Sequence, residues 1–368
     1  MALRRSSILL GTAGLLLVAL ALIERFAVVP ILTRLPGDTN ISFDFAGTGT
    51  LLNTKALASG DMAHVLQKDV PLTMERQVRV VSTSGDVAII HDDSTLHAGP
   101  TVLPASQVYA VDRSTLEATT PPAGVSVEVE PASGLTVGFP IHPKADNSYQ
   151  FYDSVARQTV PVTYEGADGK YFGRSVGIYH AVSTGPVQDA ELSHTLPAVL
   201  PKDKLTPLVS LLPADVQTKL LAANAALPNA IPMHYTVTKD LHVWIDTVTG
   251  LAVKETANEK ILAGVSIDGQ VVSLLPVLAV DLTVTPHSQE ELARKSAAVA
   301  RQLTMIEVIV PIVLGALGLV LLAAAIIRQR RSSHRESAPI IASLVATPGP
   351  STDAGSASWP VSYQGPLS

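Results

Sequence analysis

Two long apolar stretches of this chain carry no charged residue, and they lie near its two ends. Residues 8–23 read ILLGTAGLLLVALALI, then Glu24 and Arg25 intervene, and a second apolar run covers 26–32. Residues 308–327 read VIVPIVLGALGLVLLAAAII without a break. A bilayer core about 30 Å thick takes roughly 20 helical residues to cross. The pattern therefore predicts two transmembrane helices, over 8–30 and about 306–327. The first stretch also has the form of a secretory signal: a basic start, an apolar middle and a small-x-small match at Ala19-Leu20-Ala21. That match lies inside the apolar run rather than after it, which favours a retained anchor. Cleavage would leave a one-pass protein with the same central region.

Between the two ends the period changes to two. Residues 77–83 (QVRVVST), 125–129 (VSVEV), 148–152, 159–164, 176–182 and 234–237 alternate or are rich in β-branched side chains, as half-buried strands are. Residues 271–284 form a longer apolar run with Pro276 inside it. Residues 213–227 (PADVQTKLLAANAAL) space their apolar positions at three and four, which predicts a short helix. The 24 glycines and 26 prolines suit short strands joined by turns. The expected fold is β-rich α+β, an antiparallel β extracytoplasmic domain over 31–287 flanked by two transmembrane helices.

The second membrane helix is expected to start well before its apolar run. Ser288 and Glu291 have the spacing of a capping box, and SQEELARKSAAVARQLTMIEV contains no helix breaker. A long helix over 288–327 would reach about 58 Å, with half of it outside the bilayer. Pro311 is a candidate kink. Glu307 and Arg25 sit near the outer boundary of their segments, placed either to pair or to reach headgroup water.

A short unit recurs in the central region. Tyr109-Ala-Val-Asp112-Arg113-Ser-Thr115, Tyr152-Asp153-Ser-Val-Ala-Arg157 and Trp244-Ile-Asp246-Thr-Val-Thr249-Gly250 each end a strand on an aromatic residue, follow it with Asp and continue with polar or Gly residues. His91-Asp92-Asp93-Ser94-Thr95 is a poorer fourth copy. Asp at the first turn position accepts from the backbone N–H two residues on, and Gly takes the left-handed conformation that closes the turn. These residues are read as structural turns of β-hairpins.

Charge and composition narrow the function classes. Charged residues are 16% of the chain, against about 25% in soluble proteins. The net charge is −6, and residues 31–304 hold 19 Lys and Arg against 28 Asp and Glu, which argues against a nucleic-acid partner. The chain has no cysteine, so it has no disulfides, thiolate metal site or thiol nucleophile. Arg4 and Arg5 precede the first apolar run, while Arg328, Arg330, Arg331 and Arg335 follow the second. Basic flanks stay inside, so residues 1–7 and 328–368 are expected in the cytoplasm of a plasma-membrane protein. The tail, rich in Ser, Pro, Gly and Ala, reads as disordered, with Trp359 and Tyr363 as an alternative docking motif.

There is no HExxH, GxGxxG or Walker loop. Gly264-Val-Ser266-Ile-Asp268-Gly269 has its second Gly one place late for a nucleophile elbow and reads as a hairpin turn. His91 and His97 flank Asp92 and Asp93, donors for a divalent cation or the surface of a turn. An enzyme would need Asp112, Asp153 and Asp246 to converge in one cleft. The apolar run offers Val271, Val272, Leu274, Leu275, Val277 and Leu278 as the lining of a lipid cavity or as plain core. Gly315 and Gly318 would allow close helix approach.

The order of these blocks resembles a family. Gly85-Asp86-Val87, the Tyr109–Thr115 unit, Phe139-Pro140-Ile-His-Pro143-Lys144, Tyr149-Gln-Phe-Tyr152-Asp153, Pro161, Tyr164-Glu-Gly166 and the Trp244–Gly250 unit, between two anchors, are similar to the actinobacterial family labelled porin PorA. Leu116 stands where the first Asp-Arg unit would carry Gly. The resemblance covers the chain to about residue 330 and implies a cell-envelope protein of high-GC Gram-positive bacteria. Its label implies a channel. Two helices without a polar face do not line an aqueous pore, and spanning strands would need a closed, lipid-facing barrel. The expected role is binding or passing an envelope lipid or lipoglycan without catalysis. The alternatives are an envelope glycan- or lipid-modifying enzyme using acidic residues and a scaffold for other envelope membrane proteins.

Overall fold

The computed structural model describes residues 2–336. The expected tail beyond that point, with Trp359 and Tyr363, lies outside the described residues. The chain divides into two compact units: residues 1–19 with 314–368, and residues 20–313.

In the first unit, helix α1 (Ala2–Ile23) and the final helix, Val310–Glu336, lie side by side. The contact rests on glycines. A Cβ on Gly14 would stand 2.8 Å from the Gly318 carbonyl oxygen, and one on Gly318 would stand 2.7 Å from Val18 Cγ2. Without a hydrophobic force between helices in lipid, such close backbone approach is what holds a pair together. Gly318 fills the expected role, whereas Gly315 has open space around it. The helix continues to Glu336, so the first residues read as tail are helical.

The second unit begins in the continuation of α1, a wide π-helical turn at Glu24–Val28 followed by α2 (Val29–Leu32). The chain then enters β1 (Asn40–Leu52) and α3 (Thr54–Ser59), followed by three long strands, β2 (Leu66–Ser84), β3 (Val87–Ala98) and β4 (Thr101–Asp112). After an irregular segment come β5 (Gln150–Asp153), β6 (Gln158–Tyr171) and β7 (Arg174–Pro186). Next are α4 (Ala190–Thr195), β8 (Val199–Pro201), α5 (Lys202–Leu208) and α6 (Ala214–Ala223), the helix expected from the spacing. The last strands are β9 (Ala230–Asp246), β10 (Ala252–Ile267) and β11 (Gln270–Val284). Then α7 (Pro286–Thr304) leads through a second π-helical turn, Met305–Ile309, into α8 (Val310–Glu336).

The strands form one antiparallel sheet in the order β4-β3-β2-β1-β11-β10-β9-β7-β6-β5, with β8 beside β9. Its two edges meet through the irregular segment. Val111 bridges Ala118, Glu117 bridges Leu135, and Leu135 bridges Phe151 of β5. The sheet therefore curls until β4 and β5 are joined at one end. Twist accumulates over many strands, and a sheet this wide closes or splits. Pro276 lies in β11 where the pairing with β10 shifts register, the position a sheet allows to proline. Residues 125–129 are not a strand: they lie in the irregular segment, and nearby Glu130 donates its N–H to the Val108 carbonyl. His91–Thr95 is not a turn but the middle of β3, paired on both sides.

The first and last strands are neighbours, with Phe45 opposite Val284. Thr285 N–H donates to the Asp44 carbonyl at 2.8 Å, and Asp44 N–H donates to Ser288 Oγ at 3.0 Å. The α7 cap is therefore Thr285, whose hydroxyl accepts from Ser288 N–H at 3.3 Å, and not Ser288 as its spacing suggested. Pro286 takes the first helical position, where its fixed φ suits the helix and no N–H is needed. Along α7, Ser288, Gln289, Leu292, Ala293, Ser296, Ala300 and Leu303 are buried, so this helix packs on the β domain. Glu307 is hydrogen-bonded by His142 at 3.0 Å.

Candidate functional site

Alternation along the long strands decides what the curled sheet encloses. In β9, Lys239, Leu241, Val243 and Ile245 face inward; in β10, Glu255, Ala257, Glu259 and Ile261 do so; in β11, Leu278, Val280 and Leu282. With Met74, Leu96, Phe139, Phe151 and Tyr179 they surround a cavity of about 650 Å³. Val102 and Leu103 at the start of β4 and Glu191 and Thr195 of α4 are its exposed lining, so it reaches the surface there.

The irregular segment closes part of the cavity with aromatic rings. Phe139 lies 4.5 Å from Tyr179 and 5.1 Å from Tyr149 between ring centroids, and Tyr164 lies 5.2 Å from Tyr179. Tyr179 donates its hydroxyl to the Lys144 carbonyl at 2.8 Å. Burial and the neighbouring Tyr149 and Tyr164 push its pKa well above the ordinary value, so it remains a neutral donor.

A strip of charge crosses this otherwise apolar wall. Arg76 of β2 forks onto Asp92 of β3, with Nε to Oδ1 at 2.9 Å and Nη2 to Oδ2 at 2.8 Å, and reaches Glu255 at 3.5 Å. Lys239 reaches Glu259 at 2.9 Å and Asp153 at 3.5 Å. Two cations thus face four carboxylates. Burial opposes the charge on Lys239, but Glu259 and Asp153 outweigh it and raise its pKa. Burial first, then Asp92, raise the pKa of Glu255 against the pull of Arg76 and Lys239. Of the three buried side-chain polar atoms without a partner among the described residues, two lie here: Oγ1 of Thr136, a lining residue, and Oδ2 of Asp153, beside Lys239. Buried polar groups are nearly always paired, so this wall retains unmet hydrogen-bonding capacity.

The three Asp units lie on separate turns. Asp112 accepts from Ser114 N–H at 2.8 Å, Asp153 from Val155 N–H at 3.1 Å and Asp246 from Val248 N–H at 2.9 Å, each two residues on. Four residues past each Asp the backbone is left-handed, with φ of 57° at Leu116, 47° at Arg157 and 72° at Gly250. Only Gly250 must be glycine on grounds of space, since its Cβ would stand 2.2 Å from the Pro140 carbonyl oxygen. Leu116 adopts the same conformation with its side chain packed in the core, and the hydrogen bonds of Asp112 hold the turn. Arg113 ties this corner to the Leu35 and Gly85 carbonyls. Asp246 is fully buried and forked by Arg174 at 2.6 and 3.1 Å. Tyr109 packs edge-on to Tyr152, whose hydroxyl donates to Glu130 at 2.9 Å. Trp244 donates to Asp168 at 2.8 Å and carries Lys254 over its face. The three Asp residues therefore do not converge.

Of the apolar run, Leu278 lines the cavity. Leu274 and Leu275 are buried in a different cluster with α5 and α6, Val277 packs near Val237 and Ile261, Val271 is half exposed, and Val272 lies against Gly264. Asp268 and Gly269 make the β10–β11 hairpin, both with positive φ, so Ser266 is a strand residue. Of the four proposed cation donors, His91 hydrogen-bonds Arg79, Asp93 binds Arg79 and Ser106, Asp92 pairs with Arg76, and His97 lies further along β3 opposite Thr73, so the structure does not gather them into one site. Sequence reasoning missed the charged strip. The available signal was Lys239 heading the alternation Leu241, Val243, Ile245, a charge on an inward face.

Helices Ile8–Leu32 and Pro286–Arg331 are long and apolar enough to cross a bilayer, and with the curled sheet they define a β-rich, helix-anchored class that fits a membrane protein. The chain belongs to the Porin PorA family, whose sequence profile matches residues 6–327. No curated protein matches it. Among solved structures, it is similar at 14% identity to a conserved protein of unknown function with a hot dog fold from Alicyclobacillus acidocaldarius, over 71% of this chain and 89% of that one, with a TM-score of 0.12. It is similar at 10% identity to a MaoC-like dehydratase, over 75% of this chain and 82% of that one, with a TM-score of 0.11. Scores this low carry no argument about fold or function.

Proposed function

We propose that this is a two-pass plasma-membrane protein of the cell envelope whose extracytoplasmic β domain binds or passes an envelope lipid or lipoglycan in its interior cavity, without catalysis. The cavity carries the reading. Its volume falls in the roughly 300–1,000 Å³ range of ligand pockets, and its wall is mainly apolar with a few placed polar groups. Acyl chains match Leu241, Val243, Leu278 and Val280, while a hydroxylated head group matches Thr136 and the strip from Arg76 to Lys239.

Against catalysis, the four carboxylates of the charged strip are each engaged by Arg76 or Lys239, and the turn aspartates lie apart. The raised Glu255 is the one observation that favours an acid-catalysed alternative. The family label names a porin. The outward face of the sheet bears Glu165, His180, Asp240, His242 and Lys254, which is no lipid-facing band for a spanning barrel. The flanking arginines support cytoplasmic termini. Other envelope membrane proteins are candidate partners through the helix pair.

The test is mass spectrometry of lipid copurifying with the full-length protein in detergent, beside Ala257→Trp, which fills the cavity. Native protein is expected to carry an amphiphile above the detergent control, and the variant several-fold less at an unchanged Tm. Equal loading of both, or no lipid on the native protein, would sink the proposal. Hydrolysis of that lipid on incubation would favour the enzyme.

A further inference from the structure

The outward face of the same sheet carries a second group of side chains, of which only His180 also borders the cavity. His180 of β7 and His242 of β9 are direct partners in register. Their neighbours Tyr179, Ala181, Leu241 and Val243 line the cavity, so alternation turns the two imidazoles the other way. The rings stack, with centroids 3.9 Å apart and planes 13° from parallel. Glu165 of β6 stands at one edge of the stack, 3.3 Å from His180 Nδ1 and 3.7 Å from His242 Nε2. Asp240 stands at the opposite edge, 2.9 Å from His180 Nε2 and 3.3 Å from His242 Nδ1. One donor atom from each of Glu165, His180 and His242 lies within 4.8 Å of the others.

We propose that Glu165, His180 and His242 bind one divalent transition-metal ion, Zn²⁺ foremost, and that Asp240 orients both histidines for it. Two imidazoles and one carboxylate suit zinc and its neighbours, whereas magnesium and calcium prefer oxygen ligands alone. A metal-bound histidine nearly always donates its other ring N–H to a carboxylate or carbonyl. Asp240 already stands at that edge of both rings, and Glu165 stands at the other. The lone pairs of two near-parallel rings do not converge, so metal binding must swing the imidazoles out of their stack. Both are partly exposed and Glu165 is exposed, which leaves room for that rotation and for water in the remaining positions. The bound ion would clamp β6, β7 and β9 together behind the aromatic side of the cavity.

The experiment uses full-length protein without a histidine tag, purified in detergent, stripped with EDTA and titrated with Co²⁺ and then Zn²⁺. The expected result is one equivalent of Co²⁺ with visible d–d absorption, displaced by Zn²⁺. His180→Gln and His242→Gln should abolish it, and Asp240→Asn should keep the stoichiometry while weakening affinity roughly 10–100-fold. Glu165→Gln changes only an exposed side chain and keeps the test valid should a histidine variant misfold; it should weaken binding by at least tenfold. Absence of a bound equivalent at micromolar metal, or binding unchanged in Glu165→Gln and His242→Gln, would overturn the proposal. Neither outcome depends on lipid in the cavity.

Discussion

Asp246 shows how much one residue carries. It closes its turn through Val248 and Thr249, forks Arg174 from the neighbouring strand, and shares Thr249 with Ser296 of α7. Burial opposes its charge, but Arg174 and the backbone N–H groups outweigh that and hold its pKa below the ordinary value. The stability it supplies is therefore full above the unfolded pKa, about 3.9, and is lost as pH falls towards the lower folded value. Asp246→Asn should cost about 3–5 kcal/mol, because Arg174 is left without its partner. Thermal melts from pH 3 to 7 should show a lower Tm and a flatter acid limb than the native protein. The role of Asp246 as a turn residue could be read from Trp244-Ile-Asp246 and Gly250. Its partner Arg174 could not, because only the pairing of β7 with β9 brings the two together.

At the scale of elements, the apolar helices and most strands were legible because their periods are undisturbed. Errors arose where a residue's neighbours come from far along the chain. His91–Thr95 has turn-like composition, yet pairing with β2 and β4 on both sides holds it extended. VSVEV at 125–129 has strand composition but lies in the segment that joins the two sheet edges. The cap of α7 moved to Thr285 because Pro286 takes the first turn and Ser288 is drawn to Asp44. Thr285→Ala should cost about 1 kcal/mol, measurable as a lowered denaturation midpoint. The helix pair is testable in a chain without cysteine. The Cβ built on Gly11 lies 3.8 Å from that of Ala325, the usual separation in a disulfide. Gly11→Cys with Ala325→Cys should cross-link under mild oxidation, and adding Gly14→Leu should abolish the cross-link by pushing the backbones apart.

At the scale of the molecule, the cavity is a property of the closed sheet and of no single stretch. Its charged strip draws Arg76, Asp92, Lys239 and Glu255 from four strands, so no local motif announces it. The pairing of β1 with β11 bears on how the protein is made. Strand 40–52 emerges early in synthesis, and its second neighbour is completed more than two hundred residues later. Contacts this distant in sequence make folding slow, and a waiting strand edge invites wrong partners. A chain ended after Ile267 should be degraded rapidly in pulse-labelled cells while the intact chain persists. The nascent polypeptide thus spends most of its biogenesis with an open seam, which makes it a natural client for a chaperone on the side of the membrane where the sheet assembles.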